Sequence, residues 1–276
     1  MDEETATGLP ASIEAAWGLR ERPHKGPKPA LSLERIVRAG VQVAETEGLS
    51  AVSMSRVAAE LGAAAMSLYR YVAAKDELLA LMADAAYGPT PAAPGPDEGW
   101  RAGLSRCAWT MRAALRRHPW VVRIPISGLP VRPHEVAWFE EALACLRDTG
   151  LAEAQKASVI MLLSGYVRNI AAMEADIEAA IRAAGGTAQE WMSSYGRMLA
   201  KLADPQRFPA ISSLVAAGVF DTADDPDDEF IFGLERVLDG IEALITLSRD
   251  PGGAGRPGRP PPAPGRGRPA RAAAKP

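Results

Sequence analysis

From Leu33 to Arg249 the apolar residues recur in steps of three and four, and no stretch alternates residue by residue. That spacing lays a single apolar stripe along a helix of about 3.6 residues per turn and denies a strand its one buried face. The chain is therefore read as all-α. The helix ends are written locally. Ser32 is placed to cap a first helix, with Glu34 in the positive first turn and Gly48 stopping it. Ser53 caps a second helix that is closed by Gly62, and a third runs over about 64–71. A fourth opens at Lys75 and carries Leu78, Leu79, Leu81 and Met82 inward.

Residues 88–97, GPTPAAPGPD, contain four prolines and cannot continue a helix, so the connection between two domains is placed there. Further helices are predicted over about 98–117, 134–148, 152–183, 188–203 and 228–249. The one at 188 starts with a capping box, Thr187 with Glu190 three residues on. The segment 119–133 carries four prolines and reads as irregular, and 204–227 reads as an acidic, proline-bearing loop. The resulting organisation is a flexible, basic-ended arm over 1–31, a small helical domain over 32–87, a larger one over 98–249, and a disordered Arg/Pro/Gly tail over 250–276.

Bulk properties exclude several classes. The longest apolar stretch, Val159–Val167, is interrupted by Ser164 and Gly165, well short of the roughly 18 residues a membrane span needs. The first residues, MDEETATG, lack the basic and apolar blocks of a signal peptide, so a cytoplasmic protein is expected. Cys107 and Cys145 give neither a disulfide framework nor a metal spacing and read as core thiols. No HExxH, no GxSxG and no glycine-rich phosphate loop is present, so neither an enzyme, a metal site nor a cofactor is expected. The net charge of −3 is unevenly spread: residues 18–81 carry +2, the tail +6 and the remainder −11. Attraction to phosphate depends on the local face and not on the sum.

The informative stretch is Ser53–Lys75, SMSRVAAELGAAAMSLYRYVAAK. Two short helices meet at a glycine turn, and Ala58 is small enough for them to cross closely. This is the geometry of a helix-turn-helix, whose second helix enters the major groove; an ordinary corner between two bundle helices shares the pattern. More of the string narrows the choice. Leu33–Leu79, with Gly48, the Ser53–Gly62 helix, Leu68-Tyr69-Arg70-Tyr71, Lys75 and Leu78-Leu79, resembles the tetracycline-repressor (TetR) family of bacterial regulators. Val72 fills a slot where that family usually has an aromatic. Phe232-Gly233-Leu234-Glu235, Leu238-Asp239-Gly240 and Arg117-His118-Pro119-Trp120 extend the resemblance to the branch nearest the tetracycline repressor itself.

The resemblance implies a helix-turn-helix DNA-binding domain over 32–87 and a ligand-binding and dimerisation domain over 98–249. Ala64, Ala65, Met66 and Ser67 are expected at base edges, an apolar set suited to thymine methyls. Ser53, Arg56, Tyr69, Arg70, Tyr71 and Lys75 complete the DNA-binding set, with Lys75 at a helix start suited to a phosphate. A palindromic operator in double-stranded DNA needs a homodimer. Its interface is expected along Ile160, Leu163 and Val167 and along Ile231, Leu234, Leu238, Ile241 and Ile245, two helices apolar over a wide arc. A small apolar or amphipathic effector is expected among Trp109, His118, Trp120, Trp138, Met161, Tyr166, Asn169, Met173 and Trp191. The same aromatic and methionine side chains also suit an ordinary core. The expected function is a ligand-released repressor; the alternative is a regulator of the same fold that needs no ligand or recruits another protein. In the tail, Arg266-Gly267-Arg268-Pro269 resembles an AT-hook core, suggesting added minor-groove affinity.

Overall fold

A computed structural model of the chain describes residues 9–19, 31–90, 95, 97–126, 128–223 and 225–249. The tail with its AT-hook-like tetrad and the basic end of the arm lie outside the described residues. The described part of the arm departs from the expected flexible segment. It holds a short helix, α1 (Ala11–Ala16), that buries Ile13 against the first domain. Ser12 donates to Glu77, and Trp17 Nε1 donates to Val131 O at 2.8 Å. Docking through Leu9, Ile13 and Ala16 with two polar side chains is too short a pattern to show a helical period, which is why the arm read as unstructured.

The small domain follows the local signals. Helix α2 (Leu33–Glu47) starts at Ser32, whose Oγ accepts from Arg35 N at 3.2 Å, and ends at Gly48 with φ of +87°. Helix α3 (Met54–Glu60) starts at Ser53, whose Oγ accepts from Arg56 N at 3.1 Å. Gly62, at φ +64°, turns the chain into α4 (Ala65–Leu68), shorter than the sequence predicts, and α5 (Lys75–Tyr87) follows. Ile36, Val43, Val52, Val57, Leu68, Leu78 and Met82 are fully buried between them. Val72 joins that core, so the aliphatic residue in the aromatic slot is a packing substitution.

The larger domain is built on α6 (Trp100–Arg117), α7 (Pro133–Cys145), α8 (Glu153–Ala184) and α11 (Pro226–Arg249), with a 3-10 turn over Pro119–Arg123. Helix α8 packs on α6, on the 3-10 turn and on α11. Between α8 and α11 in chain order comes α9 (Ala188–Leu202), opened by the predicted capping box: Glu190 N donates to Thr187 Oγ1 at 3.2 Å and Thr187 N to Glu190 Oε2 at 2.8 Å. The expected loop over 204–227 contains a further helix, α10 (Pro209–Ala216), packed on α9. Eight residues are too few to display a helical period, and Pro209, read as a breaker, occupies the first helical turn where it is tolerated. Neither α9 nor α10 buries a residue within the subunit.

Helix α5 joins the two domains and packs on both α6 and α7. Near its end Asp84 is buried and caps α7 from outside: its carboxylate accepts from Glu135 N at 2.9 Å and lies 3.0 Å from His134 Nδ1. A carboxylate at a helix start satisfies free N–H groups and opposes the positive dipole end. Asp84→Ala is therefore expected to cost about 2 kcal/mol of stability in urea titration, and an unchanged midpoint would refute the cap.

Candidate DNA-reading face and effector core

The glycine turn sets α4 across α3. Ala63 N donates to Ala58 O at 2.9 Å, and buried Ala58 supplies the small contact that the close crossing needs. Leu68 is the buried anchor of α4. Its opposite side is open: Met66 is 76% exposed, Tyr69 46%, and Ala64 and Arg70 are also exposed, while Ala65 and Ser67 are half-buried. Lys75 lies exposed at the start of α5.

Three of the predicted DNA-binding side chains are already engaged in the subunit. Ser53 Oγ is occupied as the α3 cap. Arg56 is held between two carboxylates, with Nε 3.0 Å from Glu47 Oε1 and Nη2 2.9 Å from Glu60 Oε2. The guanidinium beside Glu47 holds that carboxyl below the usual carboxylate range. Tyr71 OH donates to Leu31 O at 3.1 Å and ties down the entrance to α2. Only Glu60, four residues from Arg56 on the same helix, was a neighbour visible in sequence.

The predicted effector residues do not gather in one place. Trp109 packs edge-on against buried Phe230 at 4.7 Å between ring centroids, and Tyr166 stacks on the same ring at 5.8 Å. Tyr166 OH donates to Phe230 O at 2.8 Å, and the side chain lies so close over Gly233 that a Cβ there would come within 2.4 Å of its hydroxyl oxygen and 2.6 Å of its ring. Gly233 in the Phe-Gly-Leu-Glu motif is thus the clearance that lets α8 cover α11. Trp109 and Tyr166 are core residues of this joint. Trp138 lies between α5 and α7, with its Nε1 3.4 Å from Gly88 O. Trp191 stacks on Tyr195 within α9. Met161, Asn169 and Met173 point outward from α8, and Asn169 Nδ2 lies 3.6 Å from Met173 Sδ.

His118 and Trp120 remain together, their rings 6.0 Å apart at the end of α6. His118 Nδ1 is 2.9 Å from Glu45 Oε1 on α2 but poorly aligned for a hydrogen bond. Trp120 Nε1 is buried without a hydrogen-bond partner among the described residues. Nearby, Arg168 donates to Val121 O and Val122 O at 3.1 and 3.2 Å and also to Ile124 O, so this mid-helix arginine holds the 3-10 turn. Sequence reading missed Arg112. It is fully buried, lies 4.5 Å over the Phe230 ring, and is paired to Glu174 at 2.6 Å and Asp227 at 2.7 Å.

The expected interface residues are likewise displaced. Ile160, Leu163, Val167, Leu234, Leu238, Ile241 and Ile245 form the core of their own subunit, and only Ile231 is exposed. An uncovered apolar surface lies on the neighbouring face of the same two helices. It carries Met161, Leu162, Phe232 and Leu247, and a groove of about 320 Å³ lined by Ala154, Ser158, Leu162, Gly240 and Leu244 and floored by the predicted Ile241.

A small helix-turn-helix domain joined by one helix to a larger helical domain defines a two-domain DNA-binding regulator. The chain belongs to the TetR family of bacterial regulatory proteins. Residues 36–82 match the model for bacterial regulatory proteins of the tetR family, and residues 93–245 match the tetracyclin repressor-like C-terminal domain. It is 41% identical over 240 residues to the HTH-type transcriptional repressor DrrR1 of Streptomyces coeruleorubidus, covering 86% of this chain and 87% of that protein. The apo structure of ActR from Streptomyces coelicolor superposes with a TM-score of 0.67 at 27% identity, covering 80% of this chain and all of that one. The same protein in complex with actinorhodin also gives 0.67 at 27% identity, covering 79% and 98%. Among the described residues no helix is long and apolar enough to cross a membrane.

Proposed function

We propose that this chain is a transcriptional repressor that binds a palindromic operator as a homodimer and leaves it when a small molecule binds the larger domain. The observation that carries this reading is the outward face of α4, where Met66, Tyr69 and Arg70 are exposed on a helix anchored by buried Leu68. A helix so placed enters the major groove. One such helix reads too few base pairs, and the uncovered α8/α11 face suits a twofold partner. Its small residues, Gly240, Ala154 and Ser158, let helices approach, and Met161, Leu162, Phe232 and Leu247 supply apolar area.

Release by a ligand is supported by kinship with a named repressor and by ActR, which has been solved both empty and with a small molecule. In this chain the effector's polar anchor is Trp120. A buried indole N–H with no partner among the described residues leaves about 1–3 kcal/mol to be regained by any acceptor brought to it. Its neighbour His118 faces Glu45 of α2, so an occupant there bears directly on the DNA-binding domain. The ligand shifts the population only by its preference for the released state, a few kcal/mol.

Footprinting of the purified protein on the DNA upstream of its own gene tests the reading, with a protected palindrome expected. Tyr69→Ala is expected to weaken operator binding at least about a hundredfold, the effect of losing a central contact in both half-sites. The dimer and the thermal midpoint should be unchanged. Unfolding of this variant instead would show that Tyr69 serves the core.

A further inference from the structure

The reading face is poor in hydrogen-bonding groups once the subunit's own contacts are subtracted. Ser53 caps α3, Tyr71 is tied to Leu31 O, and Arg56 is clamped by Glu47 and Glu60. Ser67, Tyr69 and Arg70 remain as polar groups along α4 and its end. Between the glycine turn and Ser67 the chain presents Ala64, Ala65 and Met66, and Met66 is the most exposed large apolar side chain of the domain. A thioether donates nothing and accepts weakly, so it has no match among the amide, amino and carbonyl groups of base edges. The one apolar group in the major groove is the C5-methyl of thymine.

We propose that Met66, flanked by Ala64 and Ala65, reads a thymine C5-methyl in each operator half-site, and that the Glu47–Arg56–Glu60 clamp withholds Arg56 from guanine. Specificity at that base pair then comes from van der Waals contact and exclusion of water, not from a hydrogen bond. The inference rests on the proposed DNA-reading role and names what the central part of the site selects. The flexible, unbranched methionine adapts its shape to the methyl, at the cost of the rotamer freedom it loses on closing.

The test uses the full-length protein and an operator selected from random double-stranded DNA. Each thymine of the selected site is replaced in turn by deoxyuridine, which removes only the methyl. Expected is one position per half-site at which affinity falls about fourfold, and about fifteenfold when both half-sites are changed, the factor for one lost buried methyl contact taken once and twice. Met66→Ala, a change at an exposed residue, should bind thymine and deoxyuridine operators equally at that position. The proposal is overturned if no deoxyuridine lowers affinity, or if Met66→Ala keeps the full discrimination. Failure to select any sequence, with Tyr69→Ala behaving like the parent, would overturn the DNA-reading role itself and this inference with it.

Discussion

Leu162→Glu combined with Phe232→Glu is expected to turn the protein into a folded monomer without operator affinity. Both side chains are exposed in the subunit, at 56% and 64%, so the substitutions cost its own core little. Across a twofold axis each appears twice, and four carboxylates enter an apolar seam; Arg236, 5.4 Å over the Phe232 ring, is already paired to Asp239 at 2.9 Å. Burying unpaired charge costs several kcal/mol. A weakening of at least about 4 kcal/mol corresponds to roughly a thousandfold rise in the dimer dissociation constant. Operator binding should fail with it, because two half-site contacts then no longer add on one molecule. Sedimentation and footprinting read the two effects, and circular dichroism checks that the helices persist. A variant that stays dimeric would move the interface elsewhere. The same charges at Leu163 and Leu238, on the face first expected to be shared, should instead unfold the subunit, since both are buried within it.

Arg112→Met should be the most costly single change in the larger domain, at about 3–5 kcal/mol in urea denaturation. The arginine is fully buried and joins α6 to Glu174 of α8 and Asp227 of α11. Its guanidinium also lies 5.2 Å over Trp109 and 4.5 Å over Phe230. Methionine fills similar volume but leaves the Glu174 carboxylate without its cation, and Glu174 Oε2 already has no hydrogen-bond partner among the described residues. The penalty is thus mainly an orphaned buried charge. Removing both partners, as Arg112→Met with Glu174→Leu, should recover most of the loss. A single variant that costs under about 1 kcal/mol would show that neither the ion pairs nor the stacking on aromatic rings holds the domain together.

The DNA-binding domain was largely legible because its signals are local. Ser32, Ser53 and Gly48 act on the backbone within a few residues of themselves, and they behave as their chemistry requires. Arg56 shows where local reading stops. Its arginine chemistry suits guanine, yet Glu47, nine residues away across a turn, takes the guanidinium. Tyr166 shows the same limit: an aromatic in an apolar helix is a plausible ligand contact until Gly233 of another helix proves to be its seat.

The sequence by itself determined that the protein is helical, where most helices begin and end, that a glycine turn joins two short helices before Tyr69, and that α8 and α11 are apolar over a wide arc. Each follows from backbone preference, capping or periodicity, which act over one or two turns. Only the tertiary structure decided which part of that arc faces inward. A helix apolar on more than one side satisfies the same periodicity in either orientation, and the choice is made by fit. Tyr166 closing over Gly233 and Arg112 bridging Glu174 and Asp227 turn Leu163, Val167, Leu234 and Leu238 into the subunit's own core. That leaves Met161, Leu162, Phe232 and Leu247 to the outside.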